Sequence, residues 1–210
     1  PMRNLRVITI VNALFYMGNG TGMAFVTLWL ESLGACYARI SLIVALHILA
    51  SIAANTLYSR YADRLGARRP WLVGGLWLLA VGFAALAFAP SLAQATWARL
   101  LEGVGIALFS TTSLALIGQL LKDSPTRGRS MGFIRGLGSL TFAFGSLGAG
   151  WLAQRNGIHT AFLLGVVTYF LAGAVALLLA PSARPRPQLT SALESLAEAA
   201  RPLEGAPGGV

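Results

Sequence analysis

Arg99 and Glu102 stand three residues apart in an otherwise apolar run, Ala95–Leu121. On a helix that spacing puts both side chains on one face, within reach of each other. Burial and a neighbouring arginine act on a glutamate's proton affinity in opposite directions. An acid held between the two can load and release a proton as its surroundings change. A buried ion pair is an expensive way to hold helices together, so the pair reads as functional rather than structural. His47, in the run Ile40–Tyr58, ordinarily titrates near neutrality and could join them in exchanging a proton. Bonding to a neighbour is the plainer role for it.

Other polar residues fall into stripes at 100° per residue. Asn12, Tyr16, Asn19 and Thr27 share a face of Leu5–Leu30. His47, Ser51 and Tyr58 share one on the second run, with Asn55 at its edge. Ser110 and Ser113 follow Arg99 and Glu102, and Arg135, Ser139 and Ser146 share a face of Met131–Ala153. Asn12, Tyr16, Asn19, Ser51, Ser110, Ser113, Arg135 and Ser139 are therefore candidate lining of a polar cavity. Hydrogen bonding between helices is the competing role for each hydroxyl and amide. Two further runs, Trp71–Phe88 and Thr160–Ala180, hold no ionisable group beyond one tyrosine hydroxyl. They read as outer supports that touch lipid.

The elements that must carry these residues follow from composition. The 210 residues are 56% hydrophobic and 11% charged, with mean hydropathy +0.68. Soluble domains carry about 25% charged residues. The six runs approach the roughly 20 residues a membrane-spanning helix requires. The expected fold is an all-α membrane protein with six transmembrane helices over residues 1–181. Residues 182–210 are polar and proline-bounded, and read as a cytosolic linker or tail. β-barrel alternation is missing. No cleavable signal peptide stands out. The lone Cys36 allows neither an internal disulfide nor a thiolate metal cluster, and no cofactor or metal is expected.

The net charge of +9 is spread over loops between spans, which argues against nucleic acid as a partner. With the N-terminus inside, twelve basic residues fall in inner segments: Arg3, Arg6, Arg60, Arg64, Arg68, Arg69, Lys122, Arg127, Arg129, Arg184, Arg186 and Arg201. Only Arg39 and Arg155 fall outside. This bias predicts cytoplasmic termini in a plasma membrane, the inner membrane of a bacterium.

One inner loop, "SRYADRLGARRP", holds more order than topology demands. It resembles the signature Gly-x-x-x-Asp-Arg-x-Gly-x-Arg-Arg of the major facilitator superfamily at Asp63, Arg64, Gly66, Arg68 and Arg69, with Ser59 in place of the leading glycine. "RLLEGVGIAL" is similar to the superfamily's Arg-x-x-x-Gly-x-Gly motif at Arg99, Gly103 and Gly105. "GSLGAGWLA" resembles its antiporter motif at Gly145 and Gly150, with Ser146 replacing a proline and Ala149 a glycine. The entry to the fifth run, "RGRSMG", is also typical.

The resemblance covers residues from about 5 to 181 and implies the N-terminal six-helix half of a twelve-helix transporter, built as a 3+3 inverted repeat. It implies a conformational latch made by Asp63, Arg64, Gly66, Arg68 and Arg69, with Asp123 as acidic partner of the first arginine. It implies close helix packing at Gly103, Gly105, Gly145 and Gly150, and it assigns Arg99 and Glu102 to the coupling or substrate machinery, with His47 as a third coupling candidate. The expected activity is proton-coupled efflux of a small organic compound, with symport of an organic acid or sugar as the alternative. The expected partners are lipid, substrate, proton, and a second six-helix half or subunit. An intramembrane protease would need a Gly-x-Ser nucleophile paired with a membrane histidine, and His159 lies in an outer loop. A channel would need a pore loop. A non-transporting membrane partner is a third reading.

Overall fold

Without water to bond, an apolar stretch must satisfy its own backbone, and a helix does so within one segment. The computed structural model describes residues 2–65, 68–122 and 124–179. Among them are seven helices: α1 (Met2–Met23), α2 (Val26–Ser32), α3 (Tyr37–Leu65), α4 (Arg68–Ala87), α5 (Leu92–Leu120), α6 (Arg127–Asn156) and α7 (His159–Ala176). The tail, Gly66 and Asp123 lie outside the described residues, as do the side chains of Asp63 and Arg64.

Six spans were expected, and six positions are filled. α1 and α2 share the first, which is broken at Ala24 and Phe25. There the Phe25 amide bonds back to Gly22 (3.0 Å), and helical bonding resumes with Trp29 to Phe25 (2.8 Å). Thr27 is exposed on α2 and so leaves the stripe of Asn12, Tyr16 and Asn19, because helical phase does not carry through the break. The other ends have local causes. Ser91 caps α5 through the Gln94 amide. Gly34 and Gly157 adopt φ of 84° and 92° in the turns after α2 and α6, a backbone that favours glycine.

α3, α4, α5 and α7 are long and apolar enough to cross a membrane. α1 and α6 carry Asn, Gly and Arg in the same length and fall short of that apolarity. The packed pairs are α4 with α5 and α7, α1 with α5, α6 and α7, α3 with α5, and α6 with α7. Exchanging the first three spans for the last three carries α1 to α5, α3 to α6 and α4 to α7. That exchange maps the pairs onto one another, apart from α6 with α7 and the small contact of α2 with α3. The inverted repeat is thus present in the packing, although the sequence shows little echo of it.

The core sits where α1, α4, α5 and α7 meet. Phe15 stacks on Phe109 at 4.0 Å between ring centres, and Tyr169 packs edge-on to Phe83 at 5.0 Å. α4 and α7 do show apolar residues outward, including Trp77, Val81, Val167 and Phe170. They are nevertheless better buried than expected of outer supports. Of the four long apolar helices α3 is the least buried, with Leu42, Ile48, Leu49, Ile52 and Leu57 uncovered.

Candidate functional site

α5 organises the site through its glycines. A Cβ on Gly103 would strike the His47 carbonyl of α3, so these two backbones touch. A Cβ on Gly105 would lie 3.0 Å from the Gly75 carbonyl of α4. Gly103 and Gly105 therefore bring α3 and α4 close to α5 on two sides. Gly145 does the same for α6, where a Cβ would meet the Met17 carbonyl of α1, and Gly20 answers it against Phe142. Ser146, standing where the motif has proline, donates to the Gly20 carbonyl at 2.9 Å. Gly150 differs from the expected packing role. Its nearest neighbour would be the Phe25 ring at 3.8 Å, an ordinary contact that leaves room for a side chain.

Close approach at Gly103 sets the first cluster. Glu102 is fully buried, and one carboxylate oxygen accepts a hydrogen bond from Arg99. Gly82 of α4 makes room for the acid, since a Cβ there would lie 2.8 Å from Glu102 Cγ. The second carboxylate oxygen, Oε1, and the Arg99 Nε are buried without a hydrogen-bond partner among the described residues. His47 Nδ1 sits 2.7 Å from the Arg99 carbonyl. A carbonyl only accepts, so Nδ1 carries the hydrogen, and Nε2 is an acceptor when the ring is neutral. The three coupling candidates thus form one cluster across α3 and α5.

A second, neutral cluster lies two to three turns along α5. Asn12 donates to Ser113 Oγ at 2.8 Å and to the Ile8 carbonyl at 2.9 Å. Thr111 donates to the Asn55 side chain, and Thr112 shares a 2.7 Å hydrogen bond with Tyr58. Tyr58 and Asn55 therefore serve the α3–α5 joint, and neither borders the two pockets that follow.

One pocket, of about 200 Å³, opens between α1, α5 and α6 and is bordered by Asn12, Tyr16, Ser110, Ser113 and Arg135. The other, of about 420 Å³, is bordered by Tyr16, Asn19, His47 and Ser51, with Ile106 and Phe142 as apolar wall. Tyr16 belongs to both. Asn19 also accepts from Tyr169 at 3.0 Å. Ser139 borders neither pocket, being exposed with its hydroxyl bonded to its own Arg135 carbonyl. Sequence reasoning passed over Thr111 and Thr112, although the run Ser110–Ser113 is wholly hydroxylic. Phe142 gave no signal at all. Among the described residues no His, Cys, Asp and Glu gather to hold a metal.

At one end of the bundle Arg68 donates to Gln119 Oε1 at 3.1 Å, and Arg69 donates to the Leu177 carbonyl. Two arginines of the implied latch thus tie the start of α4 to the ends of α5 and α7. A cation suits a helix C-terminus. Gly66 and Asp123, and the side chains of Asp63 and Arg64, lie outside the described residues.

Residues 8–206 match the family described as Major Facilitator Superfamily. A putative tartrate transporter of Agrobacterium vitis is 26% identical over 88% of this chain and 41% of its own length. Multidrug resistance protein MdtH of Aeromonas hydrophila is 31% identical over 76% of this chain and 40% of its own. The crystal structure of tetrameric PepTSo2 has the same fold, with a TM-score of 0.74 at 16% identity over 93% of this chain and 46% of that one. The chain belongs to the Major Facilitator Superfamily and is a multi-pass membrane protein of transporter fold. It spans about two fifths of the curated relatives it matches.

Proposed function

We propose that this chain is the N-terminal half of a proton-coupled transporter that exports a small organic compound, with both termini in the cytoplasm. The carrying observation is the buried Arg99–Glu102 pair with His47 on its backbone, beside a pocket of about 420 Å³. A charge at this depth is costly, and an acid with one oxygen unpaired suits proton exchange better than bracing. The relatives named as multidrug resistance proteins support the export direction. The second half, six further helices on this chain or on another subunit, completes the cavity.

A second reading is uptake of an organic acid. It is favoured by Arg135 at the rim of the α1–α5–α6 pocket, beside Asn12 and Ser113, and by the relatives named putative tartrate transporters. In either case the Asp63 loop acts as a latch whose making and breaking sets the conformational balance.

The test is transport by the whole protein in proteoliposomes under an imposed pH gradient. Glu102→Gln should insert normally yet lose gradient-driven transport by about a hundredfold, equivalent to about 2.7 kcal/mol of coupling. Gradient-driven transport that survives this change moves the proton role elsewhere. The gradient direction that drives accumulation separates export from uptake.

A further inference from the structure

Between the first turns of α1 and α6 lies an open groove of about 640 Å³ that the site above does not use. Arg6 and Arg129 stand at its rim, and Leu5, Ile10, Phe133 and Ile134 form its wall. The two helices run parallel, since their contacts advance together from Arg6 and Arg129 through Tyr16 and Gly138 to Gly20 and Phe142. Each repeats one order. An arginine comes first, and four residues deeper, about 6 Å along the axis, an apolar side chain follows: Ile10 after Arg6, Phe133 after Arg129. Those two are 51% and 66% exposed. Among the described residues neither guanidinium has an ion pair.

We propose that this groove binds an anionic phospholipid, with its phosphate between Arg6 and Arg129 and an acyl chain along Ile10 and Phe133. Two cations above an apolar wall match an amphiphile. A free phosphate would meet the arginines and leave Phe133 and Ile10 uncovered. A zwitterionic lipid would cover the wall but bring no net negative charge to the rim. Basic pockets between transmembrane helices at the cytoplasmic side are suited to anionic headgroups. The inference rests on the proposed cytoplasmic placement of the N-terminus, and on neither the direction nor the coupling of transport.

The test is native mass spectrometry of the protein released from micelles holding equal phosphatidylglycerol and phosphatidylcholine. Phosphatidylglycerol should be retained preferentially. Arg6→Gln and Arg129→Gln should each weaken retention about fivefold, and together about thirtyfold. Ser130→Trp, which fills the groove and keeps both arginines, should also displace the lipid, and it carries the test if the double variant misfolds. Arg39→Gln and Arg155→Gln, at the opposite membrane face, should change nothing. Equal retention of the two lipids, equal loss in these controls, or retention unaffected by Ser130→Trp would each overturn the proposal. So would full displacement by millimolar glycerol phosphate, which would mark a site for free anions.

Discussion

Two stretches of α5 use polar residues in opposite ways. Around Arg99 and Glu102 a full charge pair is buried, and each member keeps a polar atom unpartnered among the described residues. From Thr111 to Ser113 every side chain is neutral and bonded across to α3 or α1. Interhelical hydrogen bonds in membranes contribute about 0.6 kcal/mol each on average, so the second stretch is a modest fastener. The first has no comparable stabilising account, because removing both charges from a buried pair is often neutral or favourable. Polar residues on one helix thus divide into those that hold geometry and those the fold tolerates for another reason.

The contrast is sharpest when one charge is removed. Arg99→Leu leaves Glu102 buried and alone and should destabilise by about 3–5 kcal/mol, whereas the pair Arg99→Leu with Glu102→Leu should recover most of that. Thermal unfolding in detergent measures both. A double variant as unstable as the single one would make the pair structural. The glycine joint comes next. Gly103→Val drives a side chain into the His47 carbonyl, a backbone atom that cannot rotate away, and should cost about 1–3 kcal/mol. It should also shift the pH profile of transport by moving His47 off Arg99. An unchanged melting temperature would show that α3 yields freely at this contact.

Asp63→Asn probes the loop rather than either stretch. Asp63 lies in the last turn of α3, and the family resemblance implies that its carboxylate faces a helix N-terminus of the second half, a contact worth about 1 kcal/mol. Turnover per inserted molecule should fall several-fold while equilibrium substrate binding changes little. Normal turnover in the inserted fraction would reduce Asp63 to a topology residue. The smallest effect belongs to the neutral stretch. Thr112→Val should lower stability by about 0.6 kcal/mol and leave pH-driven transport intact. A large transport defect there would erase the distinction between the two halves of α5.

The spans were legible because length and apolarity are local properties, and the charged loops stood out against them. Arg99, Glu102 and His47 were legible because ionisable groups are rare at that depth. What escaped depended on neighbours. The break at Ala24 and Phe25 follows Gly18, Gly20 and Gly22, a weak point in the helix that a regular 100° projection ignores, so Thr27 was misplaced. Ser139 and Ser113 share a residue type, yet only Ser113 faces Asn12. Gly150 and Gly145 stand in one motif, but only Gly145 meets the backbone of α1. None of these differences is written in the residue itself, since each is decided by what the opposite helix presents.

The glycine contacts have a mechanical consequence. A joint between two backbones has no side chain that can swing aside, so the helices it joins move as one beam. Gly20 and Gly145 join α1 to α6, while Gly103 and Gly105 join α3 and α4 to α5. Between these two beams the contacts are side chains: Phe15 on Phe109, and Asn12 on Ser113. Both pockets open along that seam, with Tyr16 standing in it. A small slip of one beam against the other would widen one pocket and narrow its neighbour, with Tyr16 as the shared wall.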